Sequence, residues 1–231
     1  MTAPPSFFIA GTDTEIGKTF TTTLLLRAAR LAGLTALGMK PVAAGVDAAG
    51  RNDDVEAILA AGSFQPARED VNPFLYQAPV SPHIAARDEG RPVDLALIGT
   101  AYARLASQAD LVLVEGVGGF RAPLSDTLDG ADLARALALP VILVVGLRLG
   151  CLNHALLTAE AIATRGLRLA GWIGNHVDPA MARQEDNVRY LQEHLHNDFD
   201  LPCLGLIPHV PPGPGRNGCL DDIARTLHLP G

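Results

Sequence analysis

The sequence predicts an α/β fold: a mostly parallel sheet with helices on both faces. Two observations carry that prediction. First, short runs that are apolar throughout recur at residues 7–10, 111–114, 141–145, 169–174 and 203–207, separated by stretches with apolar residues at helical spacing. Strands without polar alternation are buried on both sides, which is the signature of a parallel sheet covered by helices. Second, the stretch GTDTEIGKT at 11–19 stands between the first strand and the first helix. A glycine-containing turn in that place lets the backbone approach an anion, and the free N–H groups of the helix start point at it. Lys18 then reaches the outer phosphates and the Thr19 hydroxyl is placed for Mg²⁺. The fold class is therefore P-loop NTPase-like, although Thr12 holds the place of the first glycine of the usual pattern.

The elements follow in order. After the helix at 18–32, residues 35–39 form a second strand that delivers Lys40 at its carboxyl end. Ligand crevices in such sheets lie at the carboxyl ends of the strands. On position alone Lys40 is either a phosphate-side cation or a solvated lysine. Asn52 and Asp53 read as N-cap residues of a helix at 54–61, which puts Asp54 in the first turn as a dipole-stabilising carboxylate or a magnesium ligand. Residues 71–92, rich in proline, read as an irregular but packed loop. A helix at 94–107 precedes the strand at 111–114, and Glu115 stands at that strand's end, followed by Gly116, Val117, Gly118 and Gly119. A carboxylate there, beside a phosphate loop, is placed for a second magnesium contact. A helix opens at Asp129 and Gly130. The strand at 141–145 leads through residues 148–153 into a helix at 154–166, whose start is a second possible anion site. The strand at 169–174 ends at Asn175. Helices at 180–196 and 221–228 flank the last strand and a proline- and glycine-rich stretch at 208–218.

Composition bounds the rest. The 231 residues suit a single domain over 1–231, with 48% hydrophobic residues for its core. A net charge of -7 without a basic stripe argues against nucleic acid and against an anionic membrane surface. Three scattered cysteines make neither a disulfide framework nor a zinc site, and the first apolar run lacks the basic flank of a signal peptide; both point to the cytoplasm.

The chain resembles the dethiobiotin synthetases. The resemblance rests on GTDTEIGKT (11–19), MKPVAAG (39–45), VNPF (71–74), SPHIAA (81–86), VEGVGG (114–119), PLSD (123–126), PVILVVGLRLGCLNHALLT (140–158) and GWIGN (171–175), in order and across nearly the whole chain. It implies an ATP- and Mg²⁺-dependent ligase that carboxylates 7,8-diaminopelargonate with CO₂ and closes a cyclic urea. One amine takes up CO₂ as a carbamate, the carbamate is phosphorylated by ATP, and the second amine closes the ring and expels phosphate. Lys18 and Lys40 would be the catalytic cations. Thr19, Asp54 and Glu115 would hold Mg²⁺. Glu15, Ile16, Gly17, Lys18, Thr19 and Phe20 would cradle the phosphates, with Gly116, Val117 and Gly118 alongside. Asn175 would read the adenine, with His176 and Pro208 nearby. Ala44, Gly118 and the turn Gly150, Cys151, Leu152, Asn153 would hold the diamine, with that turn serving the partner subunit of a homodimer. Ala44 departs from the serine expected in many relatives.

Two other readings share parts of this pattern. A partitioning-type nucleotide switch would carry a signature lysine early in the loop, where Thr12-Asp13-Thr14 stands here. A corrin-type amide synthetase shares the Glu-Gly-x-Gly loop but adds a glutaminase domain.

Overall fold

The computed structural model describes residues 5–210 and 216–230. β1 (Ser6–Gly11) feeds the phosphate loop and α1 (Lys18–Leu31). Next come β2 (Ala36–Met39), β3 (Val42–Ala44), α2 (Asp53–Ala61), α3 (Arg68–Val71), β4 (Phe74–Tyr76), α4 (Pro82–Asp88) and α5 (Leu95–Ala106). β5 (Leu111–Glu115), α6 (Gly130–Leu137), β6 (Val141–Gly146), α7 (Cys151–Thr164), β7 (Leu169–Asn175), α8 (Gln184–Phe199), β8 (Cys203–Ile207) and α9 (Arg216–Arg225) complete the order.

Six strands pair in parallel in the order β2-β5-β1-β6-β7-β8. β1 sits centrally, with Ile9 opposite Glu115 on β5 and Gly11 opposite Val144 on β6. Each strand splits its side chains between two cores. Phe7, Ile9, Leu111, Leu113, Ile142 and Val144 face α1 and α9, where Leu24, Leu25 and Ile223 meet them. Phe8, Val112, Val114, Leu143 and Val145 face the other layer, which includes Ile98, Leu105, Ala155 and Ile162 from α5 and α7. Period-two alternation of all-apolar residues thus fills both faces, as expected for a sheet covered on both sides. No helix among the described residues is long and apolar enough to cross a membrane.

The stretch read as irregular at 71–92 is ordered. β3 and β4 form a separate two-stranded parallel sheet, with Val42 opposite Phe74 and Ala44 opposite Tyr76, and α4 follows. Buried Asn72 organises this region: its amide donates to the carbonyls of Lys40, at 2.6 Å, and Phe74, while the Lys40 amide donates to the Val71 carbonyl. Such short strands carry no periodic signal of their own. Three helices are also shifted along the chain, by two to five residues at each end. α7 begins at Cys151, not 154, because Gly150 takes a left-handed conformation at the N-cap and the Cys151 amide bonds back to the Arg148 carbonyl. α8 begins at Gln184, not 180, after a turn closed by Met181 on Asp178 and a left-handed Arg183. α9 runs from Arg216 to Arg225, not from 221 to 228: it begins inside the stretch read as loop at 208–218 and ends where the Thr226 hydroxyl bonds the Ile223 carbonyl. Residues 211–215 of the proline- and glycine-rich stretch lie outside the described residues.

Candidate active site

The carboxyl ends of β1, β2 and β5 converge on a cavity of about 330 Å³. Its lining includes Glu15, Gly17, Lys18 and Thr19 of the phosphate loop, Lys40 and Ala44 beyond β2, Asp54 of α2, and Val117 and Gly118 beyond β5. Those nine were all expected at the site. Thr14, Ala43 and Asn52 join them. Gly17 requires its residue type: it sits at φ 77, and a Cβ there would lie 2.2 Å from the Asn175 amide nitrogen. Glu15, exposed at the crest of the loop, also adopts positive φ, a conformation that favours glycine and is retained mostly at functional turns.

The charged centre lies at the back of this cavity. The Lys40 ammonium donates to Glu115 Oε1 at 2.6 Å and to Asp54 Oδ2 at 2.8 Å. Glu115 is fully buried and accepts two further bonds, from Thr19 at 2.7 Å and from Thr22 at 2.6 Å. Burial pulls against the Lys40 ammonium, but Glu115 and Asp54 outweigh it and hold its pKa above the ordinary lysine value. In the same way burial raises the Asp54 carboxyl while Lys40 more than offsets it, leaving the group below the ordinary carboxylate value. Lys18 differs. Among the described residues its ammonium donates to one group, the backbone carbonyl of Asp13, at 2.9 Å. Burial, and then the nearby Lys40 charge, push its pKa down to about 8 against the opposing pull of Glu115, Asp54 and Asp13.

For Lys40 the fold supplies its own counter-charges, so it is neither a solvated lysine nor a cation dependent on a bound anion; among the described residues Lys18 has no carboxylate within bonding distance. Thr22 was missed, although its position three after Thr19 and four after Lys18 on α1 puts it on their helix face.

The remaining expected residues surround the cavity without lining it. Ile16 is buried beneath the loop, and the Asn175 amide donates to its carbonyl at 2.9 Å. Asn175 therefore braces the phosphate loop from β7, a contact that the sequence did not suggest. The His176 backbone pairs with Ile207 and its Nδ1 meets Gln184, while Nε2 is buried without a partner among the described residues. Burial lowers the His176 pKa, against the Gln184 contact. Pro208 is exposed beyond β8. The turn from Gly150 to Asn153 opens α7 beside Leu149, which is 92% exposed. Phe20 and Gly116 flank the loop, and packing at Gly116 is close: a Cβ there would meet the Phe8 ring at 3.0 Å.

As a donor set, the Thr19 hydroxyl with the Asp54 and Glu115 carboxylates offers the hard oxygens that Mg²⁺ takes. Among the described residues no group of three or more His, Cys, Asp or Glu is arranged to hold a metal alone.

Comparison with known proteins follows the same lines. The family profile described as "AAA domain" matches residues 5–213. The ATP-dependent dethiobiotin synthetase BioD of Aromatoleum aromaticum is 55% identical over 234 residues, covering 100% of both chains. Among solved structures, chloroplast FtsY from Physcomitrella patens superposes with a TM-score of 0.55 at 19% identity, over 98% of this chain and 64% of that one. A ParA family ATPase from Chlorobium tepidum TLS gives 0.54 at 12% identity, over 97% and 92%. At such identities the structural likenesses establish the P-loop NTPase-like fold and nothing finer.

Proposed function

The chain belongs to the dethiobiotin synthetase family, and from that premise we propose that its 231 residues act as one catalytic domain converting 7,8-diaminopelargonate, CO₂ and ATP to dethiobiotin, ADP and phosphate in the cytoplasm. The observation that carries the reading is the meeting of Lys18, Thr19, Lys40, Asp54 and Glu115 at one cavity. A phosphate loop alone would suit any nucleotide switch. A second, buried lysine across the cavity from Lys18 suits a reaction in which two anionic groups, a carbamate and a γ-phosphate, must be brought together.

In this reading the loop amides from Glu15 to Phe20 and the Lys18 ammonium hold the triphosphate. Lys40 holds the carbamate formed on one amine, and the carbamate oxygen attacks the γ-phosphate. The second amine then closes the ring, releasing phosphate. Thr19, Asp54 and Glu115, with phosphate oxygens, would hold Mg²⁺, which neutralises charge on the transferring group. Gly116, Val117 and Gly118 line the nucleotide's far side, and Asn175, His176 and Pro208 border the space for the base. Ala44 and Gly118 flank the diamine. Its tail carboxylate would reach the turn Gly150, Cys151, Leu152, Asn153 of a partner subunit in a homodimer, where exposed Leu149 offers apolar surface. Ala44 places a methyl group where a hydroxyl would offer one more hydrogen bond to substrate. The deciding assay is phosphate release with and without diaminopelargonate and bicarbonate: turnover should require both, whereas a nucleotide switch would hydrolyse ATP in their absence.

Two substitutions test individual roles. Lys40→Leu should abolish measurable binding of diamine with bicarbonate while MgATP binding is kept, because Lys40 does not bond the phosphate loop and its removal leaves the Asp54 and Glu115 carboxylates free for Mg²⁺. Calorimetric titration of each ligand separates the two, and loss of ATP affinity with intact diamine binding would reverse the role. Asp54→Asn should raise the Mg²⁺ concentration needed for half-maximal activity by about 10-fold or more, since a neutral amide is a poor Mg²⁺ ligand. Its exposed neighbour Asp53→Asn should stay within about 2-fold, because the side chain that caps α2 is Asn52, which accepts from the Val55 amide. Greater sensitivity at Asp53 would move the metal contact by one residue.

A further inference from the structure

One contact joins the phosphate loop to the start of α7 and has no place in the chemistry above. Arg148 Nη2 donates to Asp13 Oδ2, across 135 residues of sequence. Asp13 is a junction. Its other carboxylate oxygen accepts the Thr14 amide at 2.8 Å, and its backbone carbonyl accepts the Lys18 ammonium at 2.9 Å. Arg148 is a junction on the other side, because its own carbonyl accepts the Cys151 amide that closes the turn into α7. A chain of bonds therefore runs from Lys18 through Asp13 and Arg148 to the residues at 150–153.

The loop is also anchored at its other end. Ile16 lies against Gly146, where a Cβ would come within 2.5 Å of it, and Asn175 holds the Ile16 carbonyl while its own carbonyl accepts the Leu147 amide. Both anchors thus reach the segment Gly146–Arg148 between β6 and α7. The Ile16 anchor is buried, and the Arg148–Asp13 pair is not: its side chains are 41% and 42% exposed. An exposed pair adds little to stability, so its consequence is where it puts the backbone. It also bears on the part of the loop that holds Lys18. The Lys18 ammonium, with three N–H donors to share between a phosphate and the Asp13 carbonyl, rests on the residue that Arg148 grips.

We propose that Arg148 is a positioning residue that transmits occupancy of the phosphate loop to the turn at Gly150–Asn153, so that nucleotide on this chain sets the affinity of that turn for its ligand. The proposal rests on the function reading above only in taking that ligand to be the carboxylate tail of the diamine. Coupling between two sites is reciprocal: diamine at the turn then tightens nucleotide at the loop by the same factor. If the turn serves the partner's cavity, the nucleotide of one protomer governs diamine binding by the other.

The test uses the full chain and a non-hydrolysable ATP analogue. Amide hydrogen exchange of the segment 147–153 is followed on adding the analogue to wild type, Arg148→Gln and Arg148→Lys. Slowed exchange in wild type, lost in Arg148→Gln and retained in Arg148→Lys, is the expected result. In parallel, the diamine is titrated with and without the analogue. The ratio of the two affinities should fall by ~2–5-fold in Arg148→Gln, the factor that corresponds to an exposed ion pair, and Arg148→Lys should restore it. No analogue-dependent change at 147–153 in wild type overturns the proposal. So does an unchanged ratio in Arg148→Gln, or an equal loss of both affinities with a lowered melting temperature, which would mark a merely structural pair. Wild-type protein that binds no diamine would remove the function reading, while the hydrogen-exchange arm would still decide the link between loop and turn.

Discussion

Lys18→Gln is expected to lose at least about 100-fold in turnover, equivalent to ~2.7 kcal/mol of transition-state stabilisation, without loss of stability. The reason lies in how Lys18 is held. It is 7% exposed, donates to one neutral carbonyl, and carries a charge that burial and Lys40 both oppose, so that its pKa stands at about 8. Removing that charge from the ligand-free protein relieves a penalty, whereas removing it from the complex with anionic phosphates deletes the cation aimed at them. A melting curve that matches wild type beside a 100-fold slower reaction is the expected pair of results, and near-normal turnover would end the assignment. The same pKa sets a pH dependence. Below about 8 Lys18 is protonated and attracts phosphates; above it the free site is neutral. ATP affinity should therefore fall as pH rises from 7 to 9, with a proton taken up on binding. Calorimetry in buffers of different ionisation enthalpy measures that uptake, and in Lys18→Gln it should disappear.

Glu115→Ala should damage both fold and function. Glu115 is fully buried and accepts from Lys40, Thr19 and Thr22. Its removal leaves a nearly buried ammonium with Asp54 as its remaining carboxylate partner and takes one acceptor from each of Thr19 and Thr22, of which Thr22 keeps the Lys18 carbonyl. Breaking a buried pair in this way costs about 3–5 kcal/mol, readable as a drop in the urea midpoint. Glu115→Gln keeps the shape and one acceptor oxygen, enough for Lys40 and Thr19, while its NH₂ can donate to the Thr22 hydroxyl, which still has the Lys18 carbonyl to donate to; it should cost less in stability but still lose Mg²⁺-dependent activity. An Ala variant as stable as wild type would show that Asp54 alone neutralises Lys40. The contrast with Lys18 is instructive: one buried lysine is balanced by its own protein, the other awaits its ligand.

Much of this was legible in one dimension. The all-apolar strands announced a sheet buried on both faces, because a strand covered by helices on both sides has no need of polar alternation. The phosphate loop was legible because its requirements are local: a turn, a helix start, a lysine and a threonine within a few residues. Local too was the capping of α6, where Asp129 and Asp132 bond each other's backbone amides. By contrast, β3, β4 and α3 are three or four residues long, too short for any periodicity, and they exist because they pair with one another and with Asn72.

What the sequence determined by itself, then, was the class of fold, the phosphate loop, and the set of residues from Lys18 to Glu115 brought to one end of the sheet, since strand ends and helix starts are written in neighbouring residues. Tertiary structure decided the electrostatics. Lys40 became a cation paired within the protein, by carboxylates 14 and 75 residues away, and Lys18 one that burial and Lys40 leave short of counter-charge. Asn175 became a brace for Ile16, 159 residues away, and Arg148 a tie to Asp13. Contacts at such separations leave no pattern in the residues that flank them. They are set by strand order, and strand order is settled only when the whole sheet closes over its two cores.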